Sequence, residues 1–216
     1  MTESNAVRGT AHHGNRHGRS EQARQAVLEA VDDLLAERGF AGVTIEGIAA
    51  RAGVAKQTIY RWWPSKVDIL LEAFTDDMAE HLEPPDLGDL GLDLAAHLHT
   101  LAVFLTESDP GAVFRALAGQ AQHDPAVAVR FRDDCLSRQR IRDRLPFRRA
   151  MDRGDLPSSF DTDLAIDQLL GPLYYRILVT GDPVPQEFTN HLVRDLLSRN
   201  PTPGKNGPTG TAAPAR

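Results

Sequence analysis

Residues 43–66, VTIEGIAARAGVAKQTIYRWWPSK, form the stretch of this chain that decides its fold. Thr44 is a good N-cap for a short helix over Ile45–Ala52. Gly53 can adopt a left-handed conformation at no steric cost, so it suits a tight turn after that helix. A second short helix is predicted over Ala55–Trp63. The stretch therefore predicts two helices joined by a tight turn.

A further helix is predicted directly after this pair. Pro64 discourages continuation of the preceding helix, because the residue before a proline is biased away from the helical conformation. Ser65 and Asp68 make a start that is similar to a capping box. The helix that they begin is predicted over about residues 66–81.

The residues before the quoted stretch divide into an arm and a first helix. Residues 1–19 are rich in Gly, His, Asn and Arg and have almost no apolar content, which predicts a disordered arm. From Ser20, which can cap a helix, apolar residues recur at spacings of three and four, as in an amphipathic helix. Gly39 is expected to end this helix.

Two helices joined by a tight turn, with basic, polar and aromatic residues concentrated on the second, can place one helix in the major groove of DNA. The charge distribution agrees with this interpretation. Residues 16–66 carry a balance of +2 and residues 67–216 a balance of −8, within a chain of net charge −6. Because phosphates repel an acidic body, DNA contact is expected only in the N-terminal part.

The same stretch resembles the N-terminal domain of the TetR family of transcriptional regulators, and the resemblance covers about residues 20–70. Ala55 stands where the family usually has Ser, which removes a cap worth ~1 kcal/mol. Trp63 stands where the family usually has Phe. The positions that carry the resemblance are Thr44, Ile48, Ala49, Ala52, Gly53, Val54, Ile59, Tyr60, Trp63, Pro64, Ser65 and Lys66.

The second helix of the pair is the predicted recognition helix. Gln57 and Thr58 lie at its start, where side chains reach base edges. Arg61 can pair with a phosphate or bidentately with guanine. Arg16 and Arg19 of the arm could enter a neighbouring minor groove. The other predicted DNA contacts are Thr44, Lys56, Tyr60, Trp62 and Lys66; the alternative is that all these residues are merely solvated on a small helical bundle.

The remainder of the chain is predicted to be helical, so the fold class is all-α. A DNA-binding domain over residues 20–66 is followed by a larger helical domain over residues 67–199. From Asn200 on, Pro, Gly, Thr and Lys predict a disordered tail. A kink or break is expected at Pro146, and turns are predicted at residues 82–89, 109–111, 123–125 and 153–157.

Two apolar stripes lie near the C-terminus. They serve either as core within one subunit or as the contact with a second copy. The phrase RGDLP…LLGPLYYRILVTGDPV resembles the C-terminal effector domain of one TetR subgroup, and in that family the last two helices form a four-helix dimer interface. The resemblance therefore implies a homodimer, with the stripes shared between core and interface: Ile166, Leu169, Leu170, Leu173, Tyr174 and Ile177, then Phe188, Leu192 and Leu196.

The resemblance also implies that the middle helices, about residues 67–151, enclose an effector cavity. Apolar and aromatic walls would suit a small lipophilic molecule, although plain core is the favoured alternative for each lining residue taken singly. The candidates are Phe74, Met78, Leu98, Leu101, Phe104, Leu105, Phe114, Leu117, Gln120 and Phe131. The implied function is a ligand-responsive regulator, by family default a repressor that binds a palindromic operator as a dimer and is released by its effector.

Other patterns carry competing interpretations. His12, His13 and His17 could bind a transition metal or simply form a polar arm. Cys135 could be a redox sensor if it were exposed and its pKa were lowered. An arginine run could meet an acidic ligand or protein partner, or form a salt-bridged solvated face with Asp133, Asp134 and Asp143; it comprises Arg130, Arg132, Arg138, Arg140, Arg142, Arg144, Arg148 and Arg149.

Several function classes are disfavoured by the sequence. It has no Gly-rich phosphate loop, no G-x-S-x-G and no H-E-x-x-H, so neither an enzyme nor a cofactor is expected. No apolar run is long enough for a transmembrane helix, and no secretory signal is seen. The cytoplasm is therefore the expected location. The alternatives are a DNA-binding regulator without small-molecule control and a helical enzyme that acts on its ligand.

Overall fold

The computed structural model describes residues 14–200, with side chains from residue 20 onwards, and over this part it is all-α, as predicted. Within that range the α-helices are α1 (Gly14–Gly42), α2 (Ile45–Ala52), α3 (Lys56–Trp62), α4 (Lys66–His81), α5 (Leu90–Glu107), α6 (Asp109–Ala121), α7 (Pro125–Arg130), α8 (Ser137–Asp143), α9 (Leu145–Asp152), α10 (Thr162–Tyr175) and α11 (Gln186–Arg199). Two π-helical segments, Phe131–Leu136 and Arg176–Thr180, follow α7 and α10. The chain forms two compact units, and the boundary between them follows Ile69, inside α4.

The first unit is built on α1, against which α2 packs. Gly39 has a φ of 65° and interrupts α1 near its end, as the sequence predicts. Both α2 and α3 bury apolar side chains in a common core. The members of this core that are at most 2% exposed are Val27, Val31, Leu34, Val43, Ile48, Ile59 and Trp63.

The start of α1 differs from the prediction. The helix begins at Gly14, so Ser20 lies within it and is not its N-cap. Once a helix is held by packing, each added residue gains a hydrogen bond at little entropic cost, and the helix can run beyond its last buried residue. Arg16, His17 and Arg19 are part of this extension, but their side chains lie outside the described residues, as do His12 and His13.

The second unit packs its helices around α5. This helix contacts α6, α9 and α11, and α10 contacts α11. Asp89 caps α5 by accepting hydrogen bonds from the backbone N–H groups of Gly91 and Leu92. Leu101, Ala102 and Leu105 on α5 are almost completely buried. The second unit therefore has a hydrophobic core of its own.

Two boundaries in this unit depart from the predictions. Residues 109–111 are the first turn of α6, which Ser108 caps with a hydrogen bond from the N–H of Gly111. Proline is tolerated in a first helical turn, so Asp109-Pro110-Gly111 does not need to be a separate turn. Pro146 also lies in a first turn, that of α9, and the predicted break is found just before it, at Arg144.

Candidate nucleic-acid interface

The turn between α2 and α3 is formed by local interactions. Thr44 caps α2 by accepting a hydrogen bond from the N–H of Gly47 at 3.0 Å. Gly53 has a φ of 67° and ends α2 in the left-handed conformation, as predicted. The N–H of Val54 donates to the carbonyl of Ala49 at 3.1 Å. Ala55 starts α3 without a side-chain cap, as expected from the absence of a hydroxyl at this position.

The third helix has one apolar and one polar side. Ile59 and Trp63 are buried in the core of the first unit. The ring of Trp62 meets that of Trp63 edge-on, with centroids 5.4 Å apart. Packing of these buried side chains therefore fixes α3 on the core of the first unit. Its outer side presents the predicted DNA contacts, with Lys56, Gln57, Tyr60 and Arg61 exposed and Thr58 and Trp62 partly exposed.

Two exposed cations on α3 already have partners within the unit. Lys56 Nζ lies 2.9 Å from a carboxylate oxygen of Glu46 on α2. This hydrogen bond raises the pKa of Lys56 and lowers that of Glu46. The guanidinium of Arg61 lies 4.9 Å from the ring centre of Trp62. Both cations are thus oriented before any DNA is bound.

A clamp between α1 and α2 was not predicted from the sequence. Arg51 Nη1 and Nη2 donate to the two carboxylate oxygens of Glu37 at 2.8 and 2.6 Å. Asp33 adds a contact of 3.4 Å to Arg51 Nη1. The hydrogen bond from Arg51 lowers the pKa of Glu37. A bidentate pair of this kind orients α2 on α1, but its partners are 14 residues apart, a spacing that no helical periodicity predicts.

Lys66 has a different environment from the predicted phosphate contact. Its Nζ donates to the carbonyl oxygens of Phe40 and Val43 at 2.9 and 3.0 Å. It also lies 4.1 Å from the ring centre of Phe40. Partial burial lowers the pKa of this lysine. Lys66 therefore links the start of α4 to the segment between α1 and α2. We do not assign it a role as a phosphate contact.

The predicted effector-lining residues are brought together, but they fill their own space. All are buried except Gln120, which is partly exposed: Phe74, Met78, Leu98, Leu101, Phe104, Leu105, Phe114, Leu117 and Phe131. The ring centre of Phe74 lies 6.0 Å from that of Phe104 and 5.7 Å from that of Phe114. The ring of Phe114 also lies 5.6 Å from Phe131 and stacks on Tyr174 at 5.5 Å. These rings form an aromatic cluster rather than the wall of an open cavity.

Cavities occur elsewhere in the second unit. A groove of about 510 Å³ is lined by residues that include Arg115, Arg176 and Asp182. One of about 230 Å³ lies beside Ile141, Leu145 and Met151. A void of about 10 Å³ is lined by Leu94, His97, Leu98, Asp143, Phe147, Ile166, Leu169 and Leu170. Of the ten predicted lining residues, Leu98 alone borders one of these three spaces.

The predicted interface stripe is mostly core. Ile166, Leu169, Leu170, Leu173 and Leu196 are buried within the chain, and Tyr174, Ile177, Phe188 and Leu192 are partly exposed. The outer side of α10 and of the π-helical segment after it carries exposed apolar side chains: Leu178, which belongs to the predicted apolar stripe, and Leu164, Tyr175 and Val179, which the prediction missed. Helical periodicity identifies an apolar face, but it does not say which part of a broad face is covered by the same chain.

The arginine run lies on a salt-bridged face. Arg140 pairs with Asp163 and Asp167, and Arg144 with Asp163. Each of these aspartates lies on α10, so the pairs join α8 to α10. Further along, Arg149 and Arg153 contact Asp86. This geometry favours the salt-bridged face over a dedicated acidic partner site.

Cys135 lies in an environment unlike that of a redox sensor. Its thiol is fully buried and lies 3.6 Å from the Thr75 hydroxyl. Burial raises the pKa of Cys135 to about 11. A reactive thiol needs exposure and a lowered pKa, so we do not assign a redox role to this residue.

Among the side chains described, those of residues 20–200, no group of three or more His, Cys, Asp or Glu could hold a metal ion. No helix between residues 14 and 200 is long and apolar enough to span a membrane.

Two family models match the chain. Residues 27–73 match "Bacterial regulatory proteins, tetR family". Residues 84–196 match "Tetracyclin repressor-like, C-terminal domain". Together they cover the α2–α3 pair and nearly all of the second unit.

Curated relatives are described as transcriptional regulators. The HTH-type transcriptional regulator YdeS of Bacillus subtilis (strain 168) is 35% identical to this chain over 83% of the chain and 90% of the relative. The HTH-type transcriptional regulator AqdR of Rhodococcus erythropolis is 26% identical over 83% of this chain and 86% of its own.

Solved structures similar to this chain are also described as transcriptional regulators. The TetR family transcription regulator SCO0332 superposes with a TM-score of 0.72 at 34% identity, covering 82% of this chain and 97% of its own. The regulator FadR from Bacillus subtilis, solved in complex with stearoyl-CoA, has a TM-score of 0.65 at 19% identity, over 81% and 97% of the two chains. The second likeness concerns the fold alone.

Proposed function

This chain belongs to the TetR family of transcriptional regulators, and from that premise we propose that it represses transcription as a homodimer on a palindromic operator. We propose further that a small lipophilic molecule releases it. The observation that carries the proposal is the exposed polar side of α3, held on a buried apolar side by Ile59 and Trp63. A helix presented in this way can enter a major groove.

DNA recognition is assigned to α3 and to the start of α2. On this proposal Gln57 and Thr58 read base edges, and Arg61 reaches a guanine or a phosphate. At the start of α2, Thr44 caps one N–H, and the other free N–H groups of the first turn can bind a phosphate. Lys56 would exchange Glu46 for a phosphate on binding. The acidic second unit is repelled by phosphates, so we expect it to make no contact with the DNA.

Dimerisation is assigned to the exposed side of α10 and of the π-helical segment that follows it. Leu164, Tyr175, Leu178 and Val179 are 43–70% exposed. Exposed apolar side chains mark an interaction site when they join into a large patch. A reader of two half-sites needs two copies of α3, about 34 Å apart. A second copy of this chain is therefore the occupant that we propose.

Release requires that the effector binds the non-operator state more tightly than the operator-bound state. The helix α4 is the element that we expect to transmit this preference, because it contains the boundary between the two units. A shift of α4 in each subunit would change the separation of the two recognition helices. The mismatch with the spacing of the half-sites would lower the affinity for the operator.

The proposal is tested by fluorescence anisotropy on labelled DNA from upstream of the gene, with excess non-specific competitor. We expect tight, salt-sensitive binding that the double variant Lys56→Ala, Arg61→Ala loses. The matched control is Arg132→Ala, Arg138→Ala, which removes two exposed cations from the second unit and is expected to bind normally. If selection from random DNA also yields no specific site, the proposal fails.

A regulator without small-molecule control, or an enzyme that acts on its ligand, would give different results. In the first case, no compound would change the affinity for the operator. In the second, a bound compound would be converted to product. No observation in the described residues favours either alternative, and the relatives are described as regulators.

A further inference from the structure

A buried polar cluster lies in the core of the second unit, and it consists of His97, Gln139 and Asp143. His97 Nε2 lies 2.9 Å from Asp143 Oδ1, and Gln139 Nε2 donates to the same oxygen at 2.7 Å. These three side chains are at most 4% exposed. Buried polar groups are costly compared with apolar residues of similar size, so a cluster of this kind is weak evidence for a stabilising role. A role in binding would explain its presence.

A small void adjoins the polar cluster. Its volume is about 10 Å³, which is close to the space that one water molecule occupies. Its polar wall is formed by His97 and Asp143. The rest of the wall is apolar and comes from three helices: Leu94 and Leu98 on α5, Phe147 on α9, and Ile166, Leu169 and Leu170 on α10. The lining therefore has the composition of a ligand site, an apolar enclosure with a few polar groups, around a void that a ligand would have to enlarge.

The unsatisfied atom of the cluster is a hydrogen-bond acceptor. Gln139 Oε1 is buried and has no hydrogen-bond partner. The orientation of this amide is set by its other end, because only the NH₂ group can donate to Asp143 Oδ1. Asp143 itself is an acceptor when ionised. A molecule that completes this cluster must therefore bring a donor, and a molecule with acceptors alone would leave Gln139 Oε1 unpaired.

The aromatic cluster adjoins the polar one through Tyr174. Its ring stacks on Phe114. Burial raises the pKa of Tyr174, and the negative charge of Asp143 raises it further. The Tyr174 hydroxyl thus interacts electrostatically with the Asp143 carboxylate of the polar cluster, while the Tyr174 ring belongs to the aromatic cluster. A ligand that enlarged the void could contact the acceptors of the polar cluster at one end and the rings of the aromatic cluster at the other, and remain buried in the core.

An aromatic pair connects the lining of the void to a partly exposed residue. The ring of Phe147, which lines the void, stacks on that of Phe160 with centroids 5.8 Å apart. Phe160 is partly exposed and lies in the connection between α9 and α10. A side chain in a connecting segment can move at lower cost than one in a packed helix. Displacement of Phe160 would open the site from the solvent side.

We propose that this void is the polar end of the effector site, and that the effector is a lipophilic molecule bearing a hydrogen-bond donor, such as a phenol or an alcohol. Its hydroxyl donates to the Asp143 carboxylate, which lines the void, or to Oε1 of Gln139, which is outside the lining but bonded to that carboxylate, and its apolar body separates Phe147 from α10. The inference rests on the proposed function, because it assumes that the second unit binds an effector. It adds the chemistry of the head group and the residues that recognise it.

The test uses three probes that share one propyl-substituted ring: 4-propylphenol, 4-propylanisole and 4-propylbenzoate. Only the phenol carries a donor at neutral pH. Titration calorimetry on the full-length protein is expected to give a Kd for the phenol at least about tenfold lower than for the other two, the factor that one hydrogen bond supplies. Equal affinities for all three probes, or no binding of the phenol, would overturn the inference.

Variants locate the site. Asp143→Asn and Gln139→Leu are expected to weaken phenol binding by about tenfold each. The exposed Asp133→Asn is the matched control and should leave it unchanged. Phe160→Ala should speed association while the selectivity for the phenol persists. Thermal unfolding of each variant identifies one that does not fold, and Asp143→Asn, which keeps the shape of the side chain, then decides the result.

The binding test is separate from the test of the regulatory function, because it contains no DNA. Selective binding of the phenol without any effect on operator affinity would support the site and contradict the proposed release mechanism. Conversely, release of DNA by a compound that binds equally well to Asp143→Asn and Gln139→Leu would support the regulatory function and contradict this site.

Discussion

Lys66 and Phe40 are joined by both a hydrogen bond and a ring contact: Nζ of Lys66 lies 2.9 Å from the Phe40 carbonyl oxygen and 4.1 Å from the centre of its ring. The same ammonium donates to Val43. One cation thus satisfies two carbonyls in the loop that leads to α2. These residues lead directly into α2, so Lys66 stabilises the DNA-reading unit and does not contact DNA in our proposal.

Replacement of Lys66 by an uncharged residue should therefore lower the stability of the protein. For Lys66→Met we expect a loss of about 1–2 kcal/mol in the free energy of unfolding, because the part-buried carbonyls of Phe40 and Val43 each lose the Lys66 donor, although Phe40 keeps the N–H of Val43. Urea unfolding followed by circular dichroism measures it. The control is Lys56→Met, whose side chain is exposed and should change stability little. Equal stability of the two variants would contradict the structural role of Lys66.

Glu46 should weaken DNA binding in the native protein. It pairs with Lys56 at 2.9 Å and places a carboxylate in the first turn of α2, where a phosphate is proposed to bind. We expect Glu46→Gln to tighten operator binding about three- to tenfold at low salt, with a smaller gain at high salt. Anisotropy titrations at two salt concentrations measure this. Glu21→Gln, at another exposed position of the first unit, serves as control, and weaker binding by Glu46→Gln would contradict the prediction.

The proposed dimer surface offers a matched pair of valines. Val179 is 70% exposed beside α10, and Val129 is 48% exposed on α7. A charge at a two-fold interface is introduced twice and has to be desolvated, so Val179→Asp should convert dimers to monomers at micromolar concentration. Val129→Asp should leave them intact. Sedimentation velocity distinguishes the outcomes. A dimer that is unchanged by Val179→Asp would show that the interface does not include this surface.

Two helical glycines should respond oppositely to alanine. A Cβ at Gly111 would lie 2.4 Å from the carbonyl oxygen of Leu105, so α5 and the start of α6 would have to separate. Gly119, on the same helix, has nothing within 4 Å. We expect Gly111→Ala to cost about 1–3 kcal/mol of unfolding free energy. Gly119→Ala should gain up to about 1 kcal/mol from helix propensity. Thermal and urea unfolding of both variants test this contrast.

Cys135 should be unreactive in the native protein. Its pKa is raised to about 11 from an ordinary value of 9.0, so at pH 8 about a hundredfold less thiolate is present than in the unfolded chain. We expect slow alkylation by iodoacetamide in buffer and rapid alkylation in denaturant. Operator binding should also survive mild peroxide. Fast native alkylation, or peroxide-sensitive binding, would revive the redox hypothesis.

The same shift has a consequence for stability. Because the native pKa of Cys135 lies above the unfolded value, the buried neutral thiol contributes fully below about pH 9. This contribution is lost as the pH rises toward 11. The variant Cys135→Ala should therefore show a flatter decline of stability between pH 9 and 11 than the native chain, as measured by urea unfolding.

The α2–turn–α3 motif was predictable because its determinants are local. Thr44 bonds to a group three residues away, and Gly53 ends α2 by its own backbone conformation. The predicted bounds of α2 agree with the structure, and those of α3 differ by one residue at each end. Interactions within one helical turn depend on the order of residues alone, and that order is the sequence.

Other features depended on distant parts of the chain. The π-helical segment that carries Phe131 and Cys135 has no periodicity of its own in the sequence. Pro172 lies inside α10, yet the helix continues past it because its neighbours hold it in place. The family resemblance implied a cavity among residues that the structure packs into an aromatic cluster. Whether apolar side chains fill a space or line it is a property of packing.

The sequence by itself determined the helical class, the DNA-reading motif and its family, because short-range caps, turns and periodicity specify these. Only the tertiary structure decided that Lys66 bonds within its own unit, that Tyr175 at the end of α10 and Leu178 after it are exposed whereas Leu169 and Leu173 are buried, and that His97 meets Asp143. The last two are 46 residues apart, and their contact exists only because α5 and α8 pack in one core. Spacing along a chain carries no information about such a pair until the chain is folded.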